Sequence, residues 1–297
     1  MRRAFLAPIC LLAFLSGCAT HQQLHTRPAV VTAHVSREAG LTATQQQQVA
    51  NLCFMGMPTK NDNILGPSEY IFRNGYVLEH SSLDKIPFWV CEHVKKTQLG
   101  SDAERSDRFK ADPDLRGPKS TPADYAHSGY DKGHQEPAAD QGQNQLLQDQ
   151  TFYMSNMAPQ LPQFNRNAWK SLETLARNWV TQNSEAWIFT GPVFYDPKED
   201  NPATADGTIL YDTIGVDAVA VPTHFYKIVI VKDKATGDWK SIAFVMPNVK
   251  TYKSPYHLEQ YIQSVDWIEL HTGLTFMPDL TAAQRIQLKK NKSPMWP

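Results

Sequence analysis

A chain of 297 residues, 41% of them hydrophobic, is long enough for one large domain or two small ones and apolar enough to bury a sizeable core, which excludes a chain too polar to fold. Its 29 lysines and arginines balance 30 aspartates and glutamates to a formal net charge of −1. That balance excludes a global positive field drawing in nucleic acid or anionic membrane, so any polyanion site has to be a local patch.

The chain opens on MRRAFLAPICLLAFLSGCAT, with two arginines, a short apolar run and small residues before Cys18. The run is too short to span a bilayer as an ordinary helix, and residues 1–17 read as a secretory signal. Leu15-Ser16-Gly17-Cys18 resembles a bacterial lipoprotein box. The resemblance implies a lipid on Cys18, export, and attachment to the outer membrane on its periplasmic or surface side; an ordinary cleaved signal with a chance cysteine is the alternative. Residues 18–45 show no sustained period and read as a tether, leaving 46–297 as the globular domain. Cys10 leaves with the signal, so Cys53 and Cys91 are either a disulfide, favoured in an exported chain, or two buried thiols.

Strands come next. YIFRNGYVLEH carries Asn74-Gly75 between two β-rich arms, a short-range hairpin signal. FWVCEHV (88–94) and AWIFTGPVFY (186–195) read as further strands, and THFYKIVIVKDKATGDWKSIAFVMPN as a second hairpin turning at Gly237-Asp238. Glutamine-rich QGQNQLLQDQ (141–150) reads as a polar loop. Helical patterns appear at about 167–183, 257–272 and 281–291. Hairpins with separate helices predict an α+β fold, a largely antiparallel central sheet flanked by helices.

Two segments carry candidate chemistry. In YDKGHQEPAAD (130–140) an acid, a base, a glycine and a histidine are consecutive, which reads as a tight bend presenting His134. In the helix that follows, Trp169, Leu172, Ala176 and Val180 share one face at about 100° per residue. Glu173 falls within that stripe, and Asn165 points the same way one turn earlier. Polar groups in an apolar stripe are costly unless satisfied; either Arg177 pairs with Glu173 four residues on, or the two serve a function. Lys95, Lys96, Arg105, Arg108, Lys110, Arg116 and Lys119 form a basic stretch. Interleaved acids make a plain solvated loop the favoured reading from spacing alone.

One histidine, one oxygen donor and nearby cations suffice for phosphodiester hydrolysis, because Mg2+ keeps most of its water shell and needs few protein oxygens. A neutral His134 acting as base predicts a rate that climbs through a pKa near about 6.5.

YDKGHQEPAAD, followed by YMSNMAPQLPQFNRNAWKSLE, resembles the DNA/RNA non-specific endonuclease family, which includes the Serratia-type nuclease and mitochondrial endonuclease G. The resemblance runs over roughly 50–290 and rests on Asp131-Lys-Gly-His134, Asn156-Met-Ala-Pro-Gln160 and Asn165, Trp169 and Glu173. It implies a ββα-metal centre that hydrolyses DNA and RNA with little sequence preference. His134 becomes the general base, and Asn165 the ligand of a hydrated Mg2+, with Mn2+ or another divalent ion in its place as an alternative. Glu173 acts through the ion's water network, and Arg108 is the upstream phosphate contact, with Arg105 close in alignment. Asn156 and Gln160 support the site and substrate. Asp131 reads as structural, orienting the turn by hydrogen bonds, with a direct metal role as the minority alternative. Lys132 departs from the commoner arginine, keeping the charge but losing the planar fork. A non-catalytic lipoprotein that captures extracellular nucleic acid on the same scaffold is the alternative. Relatives that form a homodimer make that state an option, although nothing in the sequence marks an interface.

Overall fold

The computed structural model describes residues 40–60, 65–201 and 203–297. The expected signal, the lipidation site Cys18 and most of the expected tether lie outside the described residues. Helix α1 (Ala43–Leu52) starts inside the stretch expected to be tether, closed at its N-terminus by Thr42, which accepts from the Gln45 N–H. Among the described residues no helix is long and apolar enough to cross a membrane.

Short strand β1 (Thr59–Lys60) precedes β2 (Ser68–Phe72) and β3 (Tyr76–Ser81), the first predicted hairpin. Its turn is closed by the Arg73 N–H donating to the Tyr76 carbonyl at 2.9 Å. Strand β4 (Pro87–Lys95) follows. After helix α2 (Pro122–Tyr125) come β5 (Asp131–His134), helix α3 (Gln145–Thr151) and β6 (Met157–Gln160). Helix α4 (Lys170–Asn183) and β7 (Glu185–Val193) are next, then the short β8 (Thr213–Ile214) and β9 (Val219–Ala220). The second predicted hairpin is β10 (His224–Lys232) and β11 (Trp239–Pro247), followed by β12 (Ile262–Gln263), α5 (Val265–Thr272), β13 (Leu274–Thr275) and α6 (Ala282–Arg285). Seven strands form one antiparallel sheet in the order β12-β11-β10-β7-β4-β3-β2, so the fold is α+β.

Strand periodicity explains why both faces of this sheet are covered. On β10, Phe225, Val229 and Val231 join one core with Trp169, Leu172, Ala176 and Val180 of the helical segment that ends in α4. The intervening Tyr226, Ile228 and Ile230 join a second core with Val49 and Leu52 of α1 and Val265 and Ile268 of α5. Each face is therefore lined mainly by apolar side chains, with polar residues at a few inward positions.

Three expectations change. The glutamine-rich stretch contains helix α3, nucleated by Asn144, whose side chain accepts from the Leu147 N–H. The pattern at 257–272 breaks into a 3₁₀ turn (Leu258–Tyr261), β12 and α5, because Ser264 caps the Trp267 N–H and starts a new helix. The helix expected from about 167 begins earlier, as a π-helical turn Phe164–Trp169 that runs into α4.

Cys53 at the end of α1 and Cys91 on β4 form a disulfide, 38 residues apart in sequence, with Cα atoms 5.4 Å apart. It ties α1 to the central sheet. A loop of that length restricts the unfolded chain by about 4 kcal/mol in the chain-entropy account. The Cys53→Ser/Cys91→Ser variant should therefore lower the free energy of unfolding in urea by about 2–4 kcal/mol; an unchanged midpoint would show that the bridge does not restrain the unfolded chain.

Candidate active site

Strand β5 pairs antiparallel with β6, Asp131 opposite Gln160 and His134 opposite Met157. The expected bend at Gly133 is therefore an extended strand. Glycine is required for a different reason: a Cβ at 133 would lie 2.3 Å from Cδ and Oε1 of the fully buried Gln160. Strand alternation places Lys132 and His134 on one side of β5 and Asp131 with Gly133 on the other.

His134 packs edge-on against Phe152 and Phe109, with ring centroids 5.0 and 5.7 Å away. Its Nε2 is buried without a hydrogen-bond partner among the described residues. A buried Nε2 without a partner is better tolerated as an N–H beside aromatic rings than as a bare lone pair, which favours the tautomer with Nδ1 as the acceptor. Burial, then the charge of Arg105, push the imidazole down to about 3. That shift is in the direction opposite to a titration near neutrality. Arg105 stands with its Cζ 5.0 Å from the Phe152 ring, and Lys132 with its Nζ 5.0 Å from the Phe109 ring. Of the two candidate arginines, Arg105 is the one brought to His134. Arg108 is exposed, and its backbone N–H approaches Ser106 Oγ.

Asp131 does not brace the turn as expected; it reaches across to the π turn. Asn165 Nδ2 donates to Asp131 Oδ2 at 3.0 Å, while Arg166 donates from Nε to Oδ2 at 2.8 Å and from an Nη to Oδ1 at 2.6 Å. A carboxylate only accepts. The contact therefore fixes which end of the Asn165 amide faces Asp131 and frees Oδ1 for another partner. Burial would raise the Asp131 pKa, but the hydrogen bonds from Arg166 and Asn165 outweigh it and hold the group below the usual carboxylate value. An amide oxygen and a carboxylate are hard oxygen donors, the kind of atom that divalent ions such as Mg2+ take.

Glu173 keeps part of its surface open but is crowded by protein. Burial pushes its carboxyl up to about 7, against the charges of Lys227, Arg177 and Arg105. Arg105 thus acts on both Glu173 and His134. The pairing of Arg177 with Glu173 suggested by spacing is replaced by a hydrogen bond from Arg177 to Asp140 Oδ1 at 2.9 Å, because Asp140 is buried beside it. Behind them lie Glu92, Glu136 and Lys227, each at most 1% exposed. Burial raises the pKa of Glu92, Glu136 and Asp140, and Lys227 opposes the rise in all three. The Lys227 ammonium donates to Thr190 Oγ1 at 2.7 Å and lies 5.3 Å from the Trp169 ring.

Asn156 is wholly buried and grips the backbone after His134. Its Oδ1 accepts from the Glu136 N–H, and its Nδ2 donates to the Glu136 and Thr151 carbonyls, all at 2.9 Å. Neither Asn156 nor Gln160 has the exposure a substrate contact requires; both stand behind the strand that carries His134.

Residues 55–283 match the model of the DNA/RNA non-specific endonuclease family. The chain belongs to that family. The human mitochondrial endonuclease G is 36% identical over 214 residues, 71% of this chain and 70% of its own. Nuclease C1 of Cunninghamella echinulata var. echinulata is 37% identical over 222 residues, 71% of this chain and 84% of its own. A crystal structure of an EndoG/EndoGI complex, described as showing the mechanism of EndoG inhibition, aligns with TM-score 0.71 and 29% identity, covering 86% of this chain and 99% of that one. The chain is thus a nuclease, a hydrolase of nucleic acid, and endonucleases of this kind are generally divalent-metal dependent.

Sequence reasoning missed the tie from Asp131 to Asn165 and Arg166, and the charges beneath Glu173. For Lys227 a signal existed: a lysine occupies an inward register of HFYKIVIV, between Phe225 and Val229. For Asp131 there was none, because its partner is 34 residues away on another element.

The Gly133 packing generates a test. Gly133→Ala forces a methyl into Gln160 and should cost about 1–3 kcal/mol of stability, as overpacking does. Adding Gln160→Ala should recover part of that loss in urea unfolding; no recovery would place the conflict elsewhere.

Proposed function

We propose that the protein is a Mg2+-dependent endonuclease of low sequence preference, acting on DNA and RNA, in which His134 is the general base and Asn165 holds the ion. The observation that carries this reading is the single neighbourhood built by β5 and the π turn. The strand offers the His134 imidazole among aromatic rings, and its Asp131 accepts from the Asn165 amide nitrogen, which leaves the amide oxygen for another partner.

Nδ1 of His134 takes the proton of the water that attacks phosphorus. Arg105 and Lys132, both packed on the aromatic rings around His134, stabilise negative charge as it gathers on the non-bridging oxygens. Glu173 as a carboxylate accepts hydrogen bonds from solvent in the site and orients it. A divalent ion held at Asn165 Oδ1, Mg2+ or in its place Mn2+, would supply positive charge at the phosphate and the leaving oxygen. Phosphate contact belongs to Arg105 before Arg108, because Arg105 lies over Phe152, which packs on His134, and its charge reaches both His134 and Glu173. The non-catalytic capture reading is disfavoured by family membership and by side chains suited to chemistry at all three positions.

The proposed arrangement of the whole chain is a lipoprotein signal over 1–17, a lipid-bearing Cys18, a tether and the nuclease domain, exported and held at a bacterial membrane. Its support is the Leu15-Ser16-Gly17-Cys18 pattern, with the Cys53–Cys91 disulfide suiting an oxidising compartment.

Purified protein should degrade plasmid and RNA, stop on addition of a chelator and resume with Mg2+. His134→Ala should lower kcat by about 10²–10⁴-fold, the range of general base catalysis. Cleavage that survives chelation, or a fully active His134→Ala variant, contradicts the mechanism. The pH dependence is assigned by sign. An imidazole at about 3 is already neutral, whereas a carboxyl at about 7 loses its proton as pH rises through neutrality. Activity should therefore rise with a limb that Glu173→Gln removes, and that moves to lower pH as the ion concentration is raised, since protons and cations compete. A limb near about 6.5 retained in Glu173→Gln would show an ordinary histidine titrating instead.

A further inference from the structure

We propose that Arg166 is a positioning residue for the ion site: it clamps the Asp131 carboxylate so that Asp131 holds the Asn165 amide with its oxygen toward the ion. The inference rests on the assignment of the ion to Asn165.

Three observations lead to it. First, Arg166 meets Asp131 as a planar fork, one nitrogen on each oxygen, at 2.6 and 2.8 Å. That geometry fixes the plane of the carboxylate as well as its position, which a lysine's single ammonium does not. Second, Asp131 Oδ2 is shared: it accepts from Arg166 Nε and, at 3.0 Å, from Asn165 Nδ2. Any rotation of the carboxylate moves the acceptor that decides which way the amide faces. Third, the backbone at 164–169 is a π turn, a rare local winding associated with functional sites. It brings the consecutive residues Asn165 and Arg166 onto the same carboxylate across the gap to β5. The Asp131 side chain is largely shielded, at 15% exposure, whereas that of Arg166 is 68% exposed. The clamp therefore closes over Asp131 from the solvent side.

Asp131 needs this help because its own strand does not provide it. Lys132, the next cation along β5, alternates to the opposite side and lies over Phe109 beside His134. The cation that completes Asp131 comes instead from the turn that carries the ligand. Direct contact of Arg166 with substrate phosphate is the competing role for so exposed a guanidinium, and the test separates the two.

The experiment titrates Mn2+ into the purified protein by calorimetry, without substrate, alongside steady-state kinetics and thermal unfolding. Asn165→Ala should abolish measurable binding. Asp131→Ala should weaken it about 10–100-fold, as loss of a partner that orients a ligand does. Arg166→Ala should weaken it about three- to tenfold, Arg166→Lys by less, and Arg166→Ala should add nothing in the Asp131→Ala background. The Arg166→Ala loss of activity should be recovered in kcat by raising the ion concentration, with the melting temperature nearly unchanged. If Asn165→Ala weakens binding while Arg166→Ala leaves it intact, the clamp is refuted and the Asn165 assignment stands. An Arg166→Ala variant with unaltered Mn2+ affinity, a higher KM for nucleic acid and a shallower salt dependence makes Arg166 a phosphate contact. If Asn165→Ala itself binds Mn2+ normally, the ion is elsewhere and both assignments fall.

Discussion

The site depends on the inability of a carboxylate to donate a hydrogen bond. Asp131 takes two contacts from Arg166 and one from Asn165, so the Asn165 amide must present its nitrogen to Asp131 and its oxygen away from it. That one constraint links β5, which ends in His134, to the π turn that opens α4. Without it a strand and a helix would merely be neighbours. With it, a proton acceptor and an oxygen donor are fixed relative to one another by a short chain of bonds, which is the precision that chemistry at a phosphate requires.

The surroundings shift the two titratable groups of the site in opposite directions. Burial among aromatic rings and the charge of Arg105 lower the His134 pKa, which keeps the ring neutral but also weakens it as a proton acceptor. Glu173 sits above a buried set of acids that share Lys227, and its carboxyl is poised near neutrality rather than in the ordinary acid range. Such buried charges are a poor source of stability, since removing one partner leaves the rest uncompensated. Here they lie under the site, on the sheet face that also carries α4, and the opposite face is covered by a second hydrophobic core.

The legible part of the fold was local. Both hairpins, β4 and β7 could be read because their alternation and turn residues are contained within short windows, and the sheet class followed from them. The family motifs marked His134, Asn165 and Glu173 for the same reason. Contacts between distant segments were not legible. Asp131 looked like a turn residue because its neighbours in sequence are a lysine and a glycine, while its partners lie on the π turn. Gly133 looked like a bend because glycine so often is one; its cause is the Gln160 side chain on the adjacent strand. Asn156 looked like a polar support near substrate, and its three bonds to backbone show a buried clamp. Arg105 and Arg108 could not be separated by spacing, since only packing against Phe152 distinguishes them.

The measurement that bears most directly on this account is a crystal structure of the protein grown with Mn2+, with the ion located by its anomalous scattering. The account predicts one strong peak within direct bonding distance of Asn165 Oδ1, ringed mainly by water, with Asp131 still bonded to the amide nitrogen. A peak remote from Asn165, or an Asn165 amide turned so that its nitrogen faces the ion, would contradict it.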